Sequence, residues 1–160
     1  MDIFRSGYSR RMDEIDRRIV GLLQTQARMS YAELARQVGL TSPSVQERVA
    51  KLERNEVITG YRAQINPEAV GLGITALIGI VTLAGSEYAD VAEAIRDIPE
   101  VESCYFMAGE ESYLLTVRVG TMAELEQLVN RLSRLPGVGG TRTTIALSTK
   151  WESRPQELSD

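Results

Sequence analysis

Hydrophobic residues in the first third of the chain recur with the spacing of α-helices. The first stripe predicts a helix that ends near Arg28, with an apolar side formed by Ile15, Ile19, Leu22 and Leu23. A second, shorter helix is predicted between Ser30, a suitable N-cap, and Gly39, a suitable C-cap. A third is predicted from Thr41 to Asn55, and its apolar side comprises Val45, Val49 and Leu52.

After the third helix the pattern changes to the alternation that is typical of β-strands. Two short strands or a hairpin are predicted from the positions Val57, Ile58, Tyr61, Ala63 and Ile65. Three helices followed by such a wing, with Gly39 in the turn between the second and third, are typical of a winged helix-turn-helix. A three-helix bundle with a purely structural role is the alternative that the pattern leaves open.

The second half of the chain alternates between strand and helix patterns. Apolar runs predict strands over residues 74–83, 101–108, 113–119 and 141–149. Amphipathic spacing predicts helices over residues 87–97 and 122–135. The resulting order, βαββαβ, is that of a ferredoxin-like sandwich.

Together the patterns predict an α+β chain with an N-terminal winged helix-turn-helix and a C-terminal ferredoxin-like βαββαβ domain. Asn66-Pro67 and the glycines Gly71 and Gly73 interrupt regular structure between the two halves. The predicted organisation is a flexible tail over 1–11, a winged helix-turn-helix over 12–66, a linker over 67–72, a ferredoxin-like domain over 73–152 and a tail over 153–160.

The predicted sheet has apolar residues on both of its faces. The runs ITALIGIVTL and YLLTVRV are apolar at consecutive positions, and successive strand residues point to opposite faces. Two helices cover one face, so the other face needs a different partner, most simply a second copy of the chain. This predicts a homodimer, although long strands can also be apolar throughout without dimerising.

Composition excludes several kinds of site. The chain has one cysteine, Cys104, and no histidine, which excludes an intramolecular disulfide framework and disfavours zinc sites and histidine-assisted catalysis. The sequence has neither a Gly-rich phosphate loop nor a metal-binding cluster, so no cofactor, metal or set of catalytic residues is expected, and an enzyme or its ferredoxin-like regulatory subunit is the disfavoured alternative. No apolar run approaches the roughly 18 residues of a membrane span, and we expect a cytoplasmic protein without a membrane partner.

Charge is distributed unevenly along the chain. The formal net charge is −4, but residues 1–66 carry 11 Arg and Lys against 8 Asp and Glu, whereas residues 67–160 carry 7 against 14. A basic first half suits contact with phosphates. Three of its arginines lie in the predicted tail (Arg5, Arg10 and Arg11), so the imbalance alone does not establish nucleic-acid binding.

The third helix carries the candidate DNA-contacting residues. With its apolar side inward, small hydroxyl residues stand at its N-terminal end, where the backbone can approach a groove. Gln46 suits an adenine edge, and Arg48 and Lys51 suit phosphate or guanine. The predicted set is Thr41, Ser42, Ser44, Gln46, Arg48, Lys51 and Arg54.

Several motifs together resemble the Lrp/AsnC, or feast-famine, family of regulators. In the first half they are D-x-x-D-R-x-I, R-x-S-x-x-E-L-A, V-G-L, R-V-x-x-L-E and V-I-x-G-Y-x-A-x-I-N-P. In the second half they are V-E-S-C-Y, A-G-x-x-S-Y-L-L-x-V-R-V and T-x-T-x-I. The resemblance covers roughly residues 12–152.

The resemblance implies a transcriptional regulator that binds double-stranded DNA and responds to an amino acid. It implies homodimers that assemble into a higher oligomer such as an octamer, with the effector bound where the turn between the middle strands meets a neighbouring dimer. Carried over, the effector site comprises Met107, Ala108, Gly109, Glu110, Glu111, Ser112, Tyr113, Thr141 and Thr143. Gly109 and the threonines would hold the carboxylate, and Glu110 or Glu111 the ammonium. An architectural protein that wraps DNA without any effector is the alternative function.

Two positions depart from the family pattern. Ser112 stands where many members have aspartate, so the ammonium of an effector needs another partner or the effector class differs. Glu56 stands where the family has glycine at the end of the third helix, and Asn55 is expected to take the left-handed cap instead.

Overall fold

The computed structural model describes residues 12–156 and residue 158. The tail predicted over 1–11 lies outside the described residues, and the tail predicted over 153–160 is described only in part. The described residues form two compact units. One comprises the described residues up to Gln64 together with those from Ser153 onward, and the other comprises Ile65–Glu152.

The N-terminal unit contains the three predicted helices: α1 (Glu14–Thr25), α2 (Tyr31–Val38) and α3 (Ser42–Arg54). Each begins at a side chain that accepts a hydrogen bond from a backbone N–H of the first turn, as N-caps do. The predicted caps Ser30 and Thr41 are confirmed, with Ser30 Oγ accepting from Glu33 N at 3.2 Å. α1 ends three residues before the predicted position, because Gln26 leaves the helical conformation with φ −141°.

One apolar cluster holds the three helices together. It contains the predicted inward residues of each helix, and Ile19, Leu34 and Val45 are completely buried. Complete burial of one such side chain contributes about 1.5–3 kcal/mol. The other buried members are Val20, Leu23, Ala35, Val49 and Leu52.

The wing predicted after α3 is the main departure in this unit. Residues 57–65, all of which are described, contain no strand. Val57 and Ile58 pack against the helices, but Tyr61 and Ile65 are exposed. A strand requires a backbone partner, and none of the described residues supplies one here, so the predicted hairpin is wrong for the single chain. The Tyr61 side chain is anchored to α3: its hydroxyl donates to Glu53 Oε1 at 2.9 Å, and burial and this carboxylate raise its pKa to about 12.

The end of α3 also differs from the expectation. Asn55 has φ −88°, and Glu56 takes the left-handed conformation with φ +56°. The backbone N–H of Glu56 donates to the carbonyl of Glu53 at 2.9 Å, and that of Val57 to the carbonyl of Leu52 at 2.9 Å. This pair of bonds is the Schellman motif, which requires the left-handed residue one position beyond the cap.

The C-terminal unit confirms the predicted ferredoxin-like order. After a short 3₁₀ turn over Glu68–Val70, the elements are β1 (Ile74–Thr82), α4 (Tyr88–Arg96), β2 (Val101–Phe106), β3 (Tyr113–Val119), α5 (Met122–Ser133) and β4 (Val138–Ile145). The four strands form one antiparallel sheet in the order β2-β3-β1-β4. β4 begins at Val138, before the predicted Thr141, and it passes close to Leu83 at Gly139, where a Cβ would lie 3.2 Å from Leu83 Cδ2.

The strand register determines which side chains share a face of the sheet. One row across the strands is Phe106, Tyr113, Ile80 and Thr141, on the face covered by α4 and α5, which we call the helix face. Its central residues are buried, and the core there includes Ile78, Ile80, Leu115 and Leu128. The neighbouring row points to the opposite side, the open face, and comprises Tyr105, Leu114, Gly79 and Arg142.

The left-handed Glu56 gives a stability prediction. An L-residue pays roughly 1–2 kcal/mol in this conformation, and glycine avoids most of that cost. Glu56→Gly should therefore raise the free energy of unfolding of the N-terminal unit by about 0.5–1 kcal/mol after the greater unfolded-state entropy of glycine is subtracted. Urea unfolding followed by far-UV circular dichroism measures the change.

Asn55→Gly is the matched control, because Asn55 has a negative φ and gains nothing from glycine. A lower stability for Glu56→Gly, or equal stabilisation by both changes, would contradict the assignment of strain to Glu56.

Candidate functional site

The outward side of α3 presents most of the predicted contact residues to solvent. Gln46, Lys51 and Arg54 are exposed, and Ser42 is half-buried. Thr41 and Ser44 are exposed at the N-terminal end, where the Thr41 Oγ1 and Ser44 Oγ atoms are 2.9 Å apart. These residues form one polar surface, which we call the α3 surface, on a helix whose other side is buried.

Arg48 is the exception among the predicted residues of α3. Its Nη1 donates to Asp13 Oδ2 and to Asp16 Oδ1, both at 2.6 Å. These bonds raise the pKa of Arg48, and the bond from Arg48 holds the pKa of Asp13 below its usual range. The guanidinium is thus engaged by α1 within the single chain, whereas the side chains of Lys51 and Arg54 are exposed.

The turn between β2 and β3 is tied to the end of β1. The backbone N–H of Met107 donates to the carbonyl of Ser112 at 2.9 Å, and that of Ser112 donates to the carbonyl of Ile80 at 2.7 Å. The Ser112 hydroxyl lies 2.8 Å from the Thr82 hydroxyl. Ala108, Gly109 and Glu110 are exposed at the tip of this turn. The turn thus has a fixed base and an accessible tip.

Both glutamates of the turn are paired with Arg142, a residue that the sequence analysis did not single out. Arg142 Nη1 lies 2.7 Å from Glu111 Oε1, and Nη2 lies 3.3 Å from Glu110 Oε2. The Glu111 side chain crosses β1 at Gly79, where a Cβ would come within 2.6 Å of Glu111 Cγ. Glycine at position 79 therefore permits this ion pair. Arg142 could have been identified from the alternation along β4, which places position 142 on the other face of the sheet from positions 141 and 143.

The predicted effector residues consequently divide between the two faces of the sheet. Thr141 and Thr143 lie opposite Ile80 and Ile78, on the helix face. The carboxylates of Glu110 and Glu111 meet Arg142 on the open face. Within one chain, the two threonines and the two paired carboxylates therefore lie on opposite faces of the sheet.

An aromatic cluster stands beside the turn on the helix face. The rings of Tyr88 and Phe106 have centroids 5.2 Å apart, and those of Phe106 and Tyr113 are 5.3 Å apart. The Tyr113 hydroxyl donates to the carbonyl of Tyr88 at 2.7 Å, and the Tyr113 ring is buried. Phe106, Tyr88 and Met107 keep about two-fifths to half of their surface exposed (53%, 46% and 39%). This end of the sheet therefore combines a polar turn with an accessible apolar wall.

The part of the chain that the structure describes contains neither a cluster of metal ligands nor a helix that could span a membrane. Within residues 12–156 and 158, no three Cys, Asp or Glu side chains group together so that they could hold a metal ion. Of the helices found there, none combines the length and the apolar character that crossing a bilayer requires.

Both units match known domain families. Residues 12–53 match the AsnC-type helix-turn-helix domain, and residues 75–156 match the Lrp/AsnC ligand binding domain. Together the two matches cover most of the chain, and they correspond to the N-terminal and C-terminal units.

Similar proteins support the same assignment. The HTH-type transcriptional regulator LrpA of Mycobacterium tuberculosis is 44% identical over 143 residues, which are 89% of this chain and 95% of that protein. The leucine-responsive regulatory protein of Escherichia coli is 36% identical over 141 residues, 85% of each chain. These relatives are transcriptional regulators, not enzymes.

Solved structures share the fold along nearly the whole chain. The feast or famine regulatory protein of M. tuberculosis complexed with L-methionine has a TM-score of 0.87 at 43% identity, covering 91% of this chain and 99% of that one. AsnC of E. coli has a TM-score of 0.83 at 28% identity, covering 92% and 99%. Sequence motifs, element order and both domain matches agree, and the chain belongs to the Lrp/AsnC family of transcriptional regulators.

Proposed function

We propose that the chain is a sequence-specific DNA-binding regulator whose DNA binding or oligomeric state is modulated by an amino acid or a related small molecule. The observation that carries the proposal is the α3 surface. Three consecutive turns of α3 bury Val45, Val49 and Leu52 and leave the opposite side polar and exposed. In a helix-turn-helix, this is the side that enters the major groove.

The α3 surface suits a duplex chemically. The exposed hydroxyls of Thr41 and Ser44 lie at the helix N-terminus, where backbone N–H groups and small side chains favour a phosphate. Gln46 can donate to and accept from an adenine edge, and Lys51 and Arg54 supply positive charge for phosphate or guanine. In this proposal residues 12–66 form the DNA-binding domain, joined by the linker 67–72 to an effector and oligomerisation domain over 73–152.

The open face supports assembly with a second copy. Leu77, Val81 and Tyr105 lie on it and are 40%, 38% and 56% exposed in the single chain. β1 therefore has apolar side chains on both faces, with Ala76, Ile78 and Ile80 buried under the helices. We propose that two open faces pack together in a homodimer, and that dimers assemble into a higher oligomer such as an octamer.

The turn between β2 and β3 is the proposed effector site. Its exposed tip, Ala108–Glu110, offers backbone N–H groups to a carboxylate. The neighbouring wall of Tyr88, Phe106 and Met107 suits an apolar or thioether side chain. A related regulator of M. tuberculosis forms a complex with L-methionine. Because Glu110 and Glu111 pair with Arg142 in the single chain, a neighbouring dimer would complete the site.

The proposed function predicts binding of duplex DNA that responds to at least one amino acid. Fluorescence anisotropy with labelled promoter fragments, at several salt concentrations and with each of the twenty amino acids, should show tight binding to some fragments. One or more amino acids should change that affinity or, in parallel light scattering, the oligomer size. Steeply salt-dependent binding to all fragments, unchanged by every amino acid, would instead favour the architectural DNA-wrapping alternative.

The dimer through the open face predicts the effect of a charge at its centre. Leu77→Arg should shift the protein towards monomers in sedimentation-velocity measurements, because an unpaired charge would be buried between the sheets. Met122→Arg is the control, since Met122 is 56% exposed on α5, which packs on the opposite face. An unchanged dimer in Leu77→Arg, with circular dichroism like that of the wild type, would rule out this interface.

A further inference from the structure

We infer that Arg48 is a positioning residue of the DNA-reading helix: it orients α3 by binding Asp13 and Asp16 of α1, and it does not contact DNA. We call these three residues the Asp13–Asp16–Arg48 latch. The inference rests on the proposed function for its DNA partner, whereas the latch itself is a feature of the folded N-terminal unit.

The latch joins α3 to the start of α1 through one nitrogen and two carboxylates. Arg48 Nη1 lies 2.6 Å from an oxygen of each aspartate. The side chain of Asp16 is 7% exposed, that of Arg48 30% and that of Asp13 52%. The guanidinium thus covers a carboxylate that is nearly shielded from solvent, and removing Arg48 would leave that buried charge without its cationic partner, which costs more than the loss of an exposed ion pair.

Asp13 gives the latch a fixed base. Its Oδ1 accepts from the backbone N–H of Asp16 at 2.7 Å and so caps α1. Its Oδ2 accepts from Arg48. Both carboxylate oxygens are therefore used, one for the beginning of α1 and the other for α3, and the position of Arg48 is tied to a helix terminus.

The latch restrains rotation of α3 about its own axis, which the apolar contacts restrain less. Val45, Val49 and Leu52 hold α3 against the other helices, but hydrophobic contacts are non-directional. Arg48 lies on the flank of this apolar side, one turn before Leu52 and one turn after Ser44. A rotation of α3 by about 20° would move a side-chain tip by about 2 Å on a helix of this radius. That displacement exceeds the tolerance of a hydrogen bond from Gln46 to a base edge.

A positioning role and a direct DNA contact predict different salt dependence. Removing a phosphate-contacting cation lowers the slope of log affinity against log salt by about 0.9, because one fewer counterion is released. Removing a residue that only orients the helix leaves that slope unchanged and lowers affinity chiefly for the cognate sequence. Lys51→Met is the matched comparison, since Lys51 is exposed on the same helix and is proposed to meet DNA.

The experiment uses the full chain and two labelled duplexes of equal length: one selected by the wild-type protein from a random-sequence pool, and an unselected random-sequence duplex. Arg48→Met should weaken binding to the selected duplex at least tenfold, leave binding to the random duplex within about twofold and keep the salt slope. Lys51→Met should weaken binding to both duplexes and lower the slope by about 0.9. If Arg48→Met behaves like Lys51→Met, the inference is overturned.

Asp16→Asn provides an independent test with nearly unchanged volume, and it decides the matter if Arg48→Met does not fold. A positioning role predicts weaker binding to the selected duplex, because one of the two anchors of Arg48 is lost. A direct contact predicts stronger binding to both duplexes, because the change frees the guanidinium and removes a negative charge. Stronger binding would overturn the inference alone, whereas failure of the wild-type protein to bind any duplex would overturn the proposed function.

Discussion

The surface expected to meet DNA exists because α3 is held from one side only. Val45, Val49 and Leu52 are buried against α1 and α2, and Arg48 is bonded to Asp13 and Asp16 of α1. Most of the other polar residues of α3 are exposed on the opposite side. The apolar residues supply most of the free energy of this packing, and the charged latch supplies its direction. The side chains of the α3 surface are not needed for this packing, so their identity can be set by DNA recognition.

The sheet of the C-terminal unit likewise has one face that packs in the core and one face that is free for another role. β1 lies in the interior of the sheet and alternates between Ile78 and Ile80 under the helices and Leu77 and Val81 on the open face. A sheet that is apolar on both faces stabilises its own unit with one and leaves the other for association. Near the end of that face, Gly79 makes room for the Glu111 side chain on its way to Arg142. The polar turn is thus joined by ion pairs to the face proposed for association, and in the proposed function this is the contact through which effector binding at the turn would affect assembly.

Features that depend on neighbouring residues in the sequence were predicted from it, and features that join distant segments were not. The caps Ser30 and Thr41 and the βαββαβ order follow from short-range patterns. The pairing of Arg48 with α1 was not predicted because its partners lie 35 and 32 residues earlier, and Arg142 was overlooked because Glu111 lies 31 residues earlier. The wing was predicted because apolar and polar residues alternate after α3. Such alternation does not ensure a neighbouring strand, whose backbone hydrogen bonds a β-sheet requires. At Glu56, the hydrogen bonds of the Schellman motif outweigh the conformational preference that favoured Asn55.

In the proposed function, the outward side of α3 lies against bases when the protein binds DNA. A photoreactive phenylalanine analogue placed at position 46 tests it directly, with the same residue at position 126 as control, because Glu126 is exposed on α5 in the other unit. Irradiation of the complex with duplex DNA should give a protein–DNA adduct from position 46 and none from position 126. A complex that retains its affinity and yields no adduct from position 46, or one that yields equal adducts from both positions, would contradict the claim.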